Sequence, residues 1–229
     1  MTSLRIRSTL TAALVATLVA CGGGGSGPPA LEVLPDGTST FNPAVLGTQL
    51  AGYALQAPLS AAETASLLFM REEEQLAHDV YVASAARWPQ PIFANIATSE
   101  STHAAAVAAL LSRYAIPDPM AGLPTGRFAS ASFQALYEQL VAASAQGLVP
   151  ALQVGLQIEE LDIRDIEAQK TGIDNADILM VYDNLLRGSR NHLRAFWKLL
   201  QAAGGSYTPQ YITQAAFDAI VGTPVETGP

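Results

Sequence analysis

Two pairs of residues stand out for the chemistry they could perform. Glu100 and His103 lie one helical turn apart, and so do Glu159 and Asp162. On a helix this spacing puts both side chains on one face, where carboxylates and imidazoles can share a proton or hold a divalent cation. Histidine is scarce, with only His78, His103 and His192 in 229 residues. Cysteine occurs once, at Cys21. The donors available to a metal are therefore oxygen and imidazole without thiolate, a set that suits iron, manganese or zinc.

Winding each segment at about 100° per residue shows where these groups point. Phe93, Ile96, Ala97, Ala104, Val107, Leu111 and Tyr114 share one face, with Glu100 and His103 in its middle. Leu152, Gly155, Ile158, Ile163 and Ile166 form a second face that includes Glu159 and Asp162, while Glu160 points away. Ile178, Val181, Leu185, Phe196 and Leu199 form a third, with His192 inside it. Upstream, Met70, Ala77 and Tyr81 mark one side of a fourth face and Phe69, Leu76 and Val80 the other. Glu74 lies near the first group and Glu73 between the two, which leaves the choice between them open.

An ionised carboxylate facing a core is costly unless it is paired or bound to metal. Several together repel strongly in a low-dielectric interior, and one or two divalent cations remove that repulsion. Each residue alone has a plainer reading. Glu100 and His103 could be a buried hydrogen-bonded pair, and His192 a satisfied core histidine. Glu159 and Asp162 could bind Arg164 or Arg194. Glu72, Glu73 and Glu160 read as a solvated face, His78 as a helix-surface residue near Glu74, and Asp165, Asp177 and Asp183 as surface or capping residues. Carboxylates and two of the three histidines on inner faces of four segments together favour a metal site of Glu100, His103, Glu159, Asp162 and His192, completed by Glu74 or Glu73 from the first segment.

The elements that must position these groups are helices. Ser60 followed by Glu63 is a capping box, opening a helix that runs to about Arg87, where Pro89 and Pro91 break it. A second helix runs from about Ile92 to Tyr114. Pro117, Pro119 and Pro124 make the next stretch a loop, and a shorter helix spans about Ala131 to Ala143. A third long helix begins near Pro150, which suits a first helical position, and ends before Gly172. The fourth runs from about Asn175 to Ala203 and stops at Gly204 and Gly205. A short helix is expected near Ala215 to Val221. No alternating strand pattern is visible. The expected fold is all-α: a four-helix bundle whose long crossover carries the short extra helix.

Composition agrees. The chain is 49% hydrophobic and only 14% charged, against about 25% charged in an average soluble protein. A net charge of -8 argues against a nucleic-acid partner, which wants a basic face. The N-terminus reads as a targeting segment: Arg5 and Arg7 precede an apolar run from Leu10 to Ala20, too short to span a bilayer as a stable helix. Leu18-Val19-Ala20-Cys21 resembles a bacterial lipobox, which implies cleavage before Cys21 and lipidation of its thiol. The expected organisation is a lipoprotein signal peptide over residues 1–20, a lipidated Cys21 with a flexible linker and wrapping loop over 21–58, and a helical domain with a C-terminal tail over 59–229. The expected location is the cell envelope, with export and a lipid anchor on the periplasmic or outer face.

Four segments together resemble the ferritin-like superfamily, and more narrowly a bacterial ferritin-like family known as a domain of unknown function. They are Arg71 to Tyr81, Phe93 to His103, Ile158 to Ile163 and Gly188 to Phe196, and the resemblance extends over about Leu59 to Val221. In rubrerythrin-type relatives the first-helix ligand stands seven residues before a tyrosine, which favours Glu74 before Tyr81. The resemblance implies that Glu100 bridges two metals, that His103 and His192 bind one each, that Glu74 and Glu159 complete the shells, and that Tyr81 is a nearby hydrogen-bond donor. It further implies iron or another divalent metal, and oxidoreductase chemistry with oxygen, peroxide or ferrous iron. One position departs from the pattern. The usual di-iron bundle has a Glu one turn before the last histidine, and here Gly188 and Ser189 stand there. Asp162 is a candidate replacement. The departure also supports an alternative: a non-catalytic envelope protein with a structural metal or none, acting as an interaction module.

Overall fold

A computed structural model describes residues 28–227. Within them, seven helices and one two-stranded hairpin follow in the order β1 (Leu31–Val33), β2 (Ser39–Phe41), α1 (Pro43–Ala51), α2 (Ala61–Arg87), α3 (Pro91–Arg113), α4 (Ala131–Ser144), α5 (Leu148–Lys170), α6 (Ala176–Ala202) and α7 (Gln214–Val221). The long helices α2, α3, α5 and α6 form a ferritin-like four-helix bundle. Its closest packing is within the pairs α2–α3 and α5–α6. The connection from α3 to α5 is the crossover, and α4 rides on it against α2 and α5.

Local sequence sets the helix ends. The Ser60 side chain accepts from Glu63 N–H while the Glu63 carboxylate accepts from Ser60 N–H, the reciprocal capping box expected of that pair. Pro91 opens α3 at its first helical residue, where a missing N–H costs nothing. Pro150 falls two residues inside α5 rather than at its start, still in the first turn, where no intrahelical donor is lost. After α6, Gly204 takes a left-handed φ of 71°, the conformation that ends a helix most cheaply at glycine.

Large side chains fill the bundle interior. Tyr81, Phe93 and Phe196 are fully buried, and the Phe196 ring lies 5.2 Å from Tyr81 and 6.0 Å from Phe93, centroid to centroid. Gly155 makes room for this cluster, since a Cβ there would come within 2.6 Å of the Phe196 ring.

Sequence alone suggests a linker and wrapping loop before the bundle. Residues 31–51 instead form the hairpin and α1, packed on the outside of α3 and α6. The strands are antiparallel, pairing Leu31 with Phe41 and Val33 with Ser39. Each strand is buried, exposed, buried along its three residues, so Leu31, Val33, Ser39 and Phe41 all face the helices. The edge of β2 is satisfied by α3: Ser39 N–H donates to Ser99 Oγ at 3.0 Å and Phe41 N–H to Thr102 Oγ1 at 3.0 Å. Cys21 and the leader lie outside the described residues.

Candidate metal centre

Each long helix brings one acidic or imidazole group, or two, to a common interior level. Glu74 comes from α2, Glu100 and His103 from α3, Glu159 from α5 and His192 from α6, and all are buried to within 1% of complete. They fall into two groups that share one member. Glu74, Glu100 and His103 can each offer an atom such that all lie within 4.8 Å of one another, and Glu100, Glu159 and His192 do the same.

The shared carboxylate is the centre of the arrangement. Glu100 Oε2 is 2.8 Å from His103 Nδ1, and Glu100 Oε1 is 2.8 Å from His192 Nδ1. Glu74 Oε2 approaches His103 Nδ1 at 3.5 Å, and Glu159 Oε2 approaches His192 Nδ1 at 3.4 Å. The two imidazoles are nearly parallel, with centroids 5.3 Å apart and planes 14° apart. Tyr81 Oη–H donates to the other Glu159 oxygen, Oε1, at 2.6 Å, and so is the hydrogen-bond donor expected of it.

These atoms are close without being hydrogen-bonded. Both oxygens of Glu74, both of Glu100, Oε2 of Glu159 and the Nδ1 atoms of His103 and His192 are buried, yet none has a partner in hydrogen-bonding alignment. Native interiors rarely leave such atoms orphaned, and a cluster of them calls for an ion. The donor set of carboxylate oxygens and imidazole nitrogens fits a hard or borderline divalent cation. The protein therefore has two buried Glu/His clusters capable of holding divalent metal ions.

Electrostatics expresses the same strain in protons. Burial raises the Glu74 pKa to about 7 against the opposing pull of His103, and raises Glu159 to about 6 against the pull of His192. Burial alone would raise Glu100 too, but the two imidazoles outweigh it and hold Glu100 well below the usual carboxylate range. Burial opposes charging of both rings, but Glu100 together with Glu74 at His103 and with Glu159 at His192 outweighs it, lifting His103 to about 9 and His192 to about 10. Without metal, protons hold this cluster together.

Asp162 is buried on the inner face, as its position on α5 predicts, and both its oxygens are unpartnered. It joins neither group of three. Burial, then Glu73 and Glu74, raise its pKa well above the ordinary value. Glu73 is also buried and unpartnered rather than solvated. It too lies outside both groups, and the first-helix position in the cluster is that of Glu74. Arginine does not neutralise Glu159 or Asp162: Arg164 pairs with Asp165, and Arg194 with Glu226.

Other side chains read as solvated prove to be covered. Glu160 is fully buried, and its Oε2 accepts N–H from Gln210 at 2.7 Å and Tyr211 at 3.0 Å. Glu72 accepts from Ser130 N–H at 2.8 Å. Asp177 is buried against Arg113 Nε at 2.8 Å and the Tyr114 hydroxyl. His78, half-buried on the outside of α2, contacts Asp79. For the three carboxylates the cover comes from a segment far away in sequence, which helical winding cannot foresee.

The gap on α6 is real. Ser189 turns back on its own helix and donates to Leu185 O at 3.1 Å, so it is not aimed at the cluster. At Gly188 an added Cβ would come within 2.6 Å of His103 Cε1, 2.9 Å of His103 Nε2 and 3.1 Å of Ser39 Oγ. The space of an α6 side chain is thus occupied by the edge of His103 and by Ser39. Sequence reasoning missed Ser39 altogether. Its Oγ is 2.8 Å from His103 Nε2 and 3.0 Å from His192 Nε2. The hints available were Ser99 and Thr102, polar residues on the flank of an apolar helix face, which turn out to seat the hairpin.

Comparison with known proteins agrees with this fold. Residues 63–224 match the family described as "Uncharacterized protein domain (DUF2202)". The chain is 46% identical over 171 residues to the uncharacterized protein MJ0754 of Methanocaldococcus jannaschii, covering 75% of this chain and 92% of that protein. The crystal structure of hypothetical protein MJ0754 superposes with a TM-score of 0.74 at 45% identity, covering 76% of this chain and 99% of the other. This relative is archaeal, so the likeness extends past the bacterial family that the motifs bring to mind. With the matched segment spanning all four bundle helices and every residue of both clusters, the chain belongs to the DUF2202 family of ferritin-like helical domains.

Proposed function

We propose that this protein is an iron-binding, redox-active ferritin-like protein anchored at the cell envelope. The observation that carries the metal reading is the convergence of orphaned carboxylate oxygens with two bare Nδ1 atoms in two groups sharing Glu100. Glu74, Glu100 and His103 would hold one ion, and Glu100, Glu159 and His192 a second. When bound, iron in such a site supplies Lewis-acid and one-electron redox chemistry. The chain's own residues set the conditions. Glu100 spans the two positions, Tyr81 fixes the orientation of Glu159, and complete burial excludes bulk water and strengthens every charge interaction inside. Asp162 and Glu73, whose carboxyls burial pushes up, lie close enough to influence the cluster's charge and are candidate proton carriers beside it.

Envelope attachment rests on the basic leader and the Leu18-Val19-Ala20-Cys21 motif. No described helix is long and apolar enough to cross a membrane, so attachment would fall to the lipidated cysteine. A bacterial source for that motif is part of the same proposal.

The burial of the site, with Ser189 turned away, favours a second reading in which the metal is structural. One pair of measurements separates the two. Protein purified without chelator and reconstituted with ferrous iron is analysed for metal, then exposed to oxygen or peroxide while its absorbance is followed. Bound iron with an oxidant-dependent spectral change supports the redox reading. Bound iron with no change leaves a structural site, and absence of bound metal removes both.

A further inference from the structure

We infer that the N-terminal hairpin is a working part of the metal centre, with Ser39 as a positioning residue whose one hydroxyl holds both histidines in the metal-binding tautomer. This rests on the metal reading above but concerns residues outside the segment, 63–224, that the family match covers.

Proton counting carries the inference. A neutral imidazole has one N–H donor and one bare nitrogen, and the partner of the first decides which nitrogen is free. In both rings Nδ1 faces the carboxylates and Nε2 faces Ser39 Oγ. A hydroxyl oxygen has two lone pairs, so it can accept an Nε2–H from each ring at once. If Ser39 instead donated its proton to one ring's Nε2, that ring would carry its proton on Nδ1 and could not ligate through it. Only the arrangement with two accepted N–H groups leaves both Nδ1 atoms free for metal. The near-parallel stacking of the rings is what lets two Nε2 atoms reach a single oxygen.

The hydroxyl is held where this requires. Ser39 is fully buried, its N–H is fixed to Ser99 Oγ, and it pairs across the hairpin with Val33. Two residues on, Phe41 places its ring edge-on to His103, with centroids 5.7 Å apart and planes at 81°. Gly37, at the turn, takes φ +91° and lies so close to α6 that a Cβ would come within 2.7 Å of Asn191 O. Gly188 on α6 leaves the gap into which Ser39 Oγ and the His103 edge fit. A hairpin from outside the bundle thus fills the space beside Gly188 on the Nε2 side of the rings, where it offers the histidines a hydrogen-bond acceptor rather than the metal a ligand. Outer partners of ligating histidines orient the ring and raise its basicity, and losing one typically weakens metal binding about 10–100-fold.

The test uses zinc(II), which is diamagnetic, on the full chain and on Ser39→Ala. Affinity is read by chelator competition, folding by thermal melting, and ring tautomers by long-range proton–nitrogen NMR. The expected result is a folded Ser39→Ala variant that binds zinc about 10–100-fold more weakly at both positions, with Nε2–H on both rings of the zinc-loaded wild type. Wild-type affinity in a folded Ser39→Ala overturns the inference, as does ligation through Nε2 of either ring. Should Ser39→Ala not fold, the wild-type tautomers decide alone. Should the wild type bind no zinc, the metal reading fails separately. Comparison of the metal-free wild type with Ser39→Ala then decides: a change in the Nε2 signals of both rings supports the Ser39 contact, and unchanged Nε2 signals overturn it.

Discussion

The carboxylate of Glu100 on α3 lies 2.8 Å from Nδ1 of His192 on α6. Its other oxygen makes the same approach to His103 one turn along its own helix. A single side chain therefore joins both halves of the centre, whereas Glu74 and Glu159 each serve one half. Glu100→Ala should abolish metal binding at both positions, while Glu74→Ala and Glu159→Ala should each remove one ion and leave the other. Metal stoichiometry of the three reconstituted variants checks this. In metal-free protein Glu100→Ala also strips two buried imidazoles of their counter-charge. Breaking a buried ion pair from one side costs about 3–5 kcal/mol, so the metal-free variant should melt well below wild type.

The proton load of the empty cluster gives a pH signature. His103 and His192 have folded pKa values near 9 and 10, above the ordinary imidazole value. Their contribution to stability is complete below about pH 6.5 and is lost as pH rises through the folded values. Glu74 and Glu159, raised to about 7 and 6, also bind protons better when folded, so their contribution falls as pH climbs from the ordinary carboxylate range to those values. Metal must displace these same protons, so its affinity rises over the same window. Melting curves recorded with zinc and with chelator should therefore diverge between about pH 6 and 9, chelated protein losing stability while loaded protein is spared. Parallel curves across that range would show that metal does not compete with these protons.

Much of this site was legible because it depends on local rules. Winding at about 100° per residue found Glu100, His103, Glu159, Asp162 and His192 on inner faces, and all are buried. The capping box at Ser60 and the stop at Gly204 are likewise written within a few residues. What winding could not supply is the partner across space. Glu73 and Glu74 are both buried, so only the approach to His103 distinguishes them. Glu160 lies away from the cluster but beneath residues 210 and 211. The hairpin strands are three residues each, too short for an alternation to register, and their stability comes from α3. Ser39 was invisible for that reason.

Gly188 allows a sharp test because two effects of known size oppose each other. Gly to Ala within a helix ordinarily gains about 1 kcal/mol. Here the new methyl would meet His103 Cε1 at 2.6 Å, and overpacking of this kind costs about 1–3 kcal/mol. Gly188→Ala should therefore be neutral to destabilising and should displace the His103 ring, weakening zinc at the Glu74, Glu100 and His103 position. Gly47 in α1 is the control, being exposed and having nothing within 4 Å of the place a methyl would take. Gly47→Ala should raise the melting temperature and leave zinc affinity unchanged.

Tyr81 separates orientation from ligation. Its hydroxyl donates to Glu159 Oε1 at 2.6 Å and lies 3.3 Å from Gly155 O, while Glu159 Oε2 is the oxygen nearer His192. Tyr81→Phe keeps the packing against Phe196 but leaves a buried carboxylate oxygen without its donor, at a cost of about 1–3 kcal/mol. If Tyr81 acts only through Glu159, the loss should fall on one half of the centre. Zinc at the Glu100, Glu159 and His192 position should weaken about tenfold, and zinc at the Glu74 position should hold. Stepwise chelator competition resolves the two. Equal weakening at both positions would mean that Tyr81 acts through the shared Glu100, and no weakening would mean that the bundle alone sets the Glu159 rotamer.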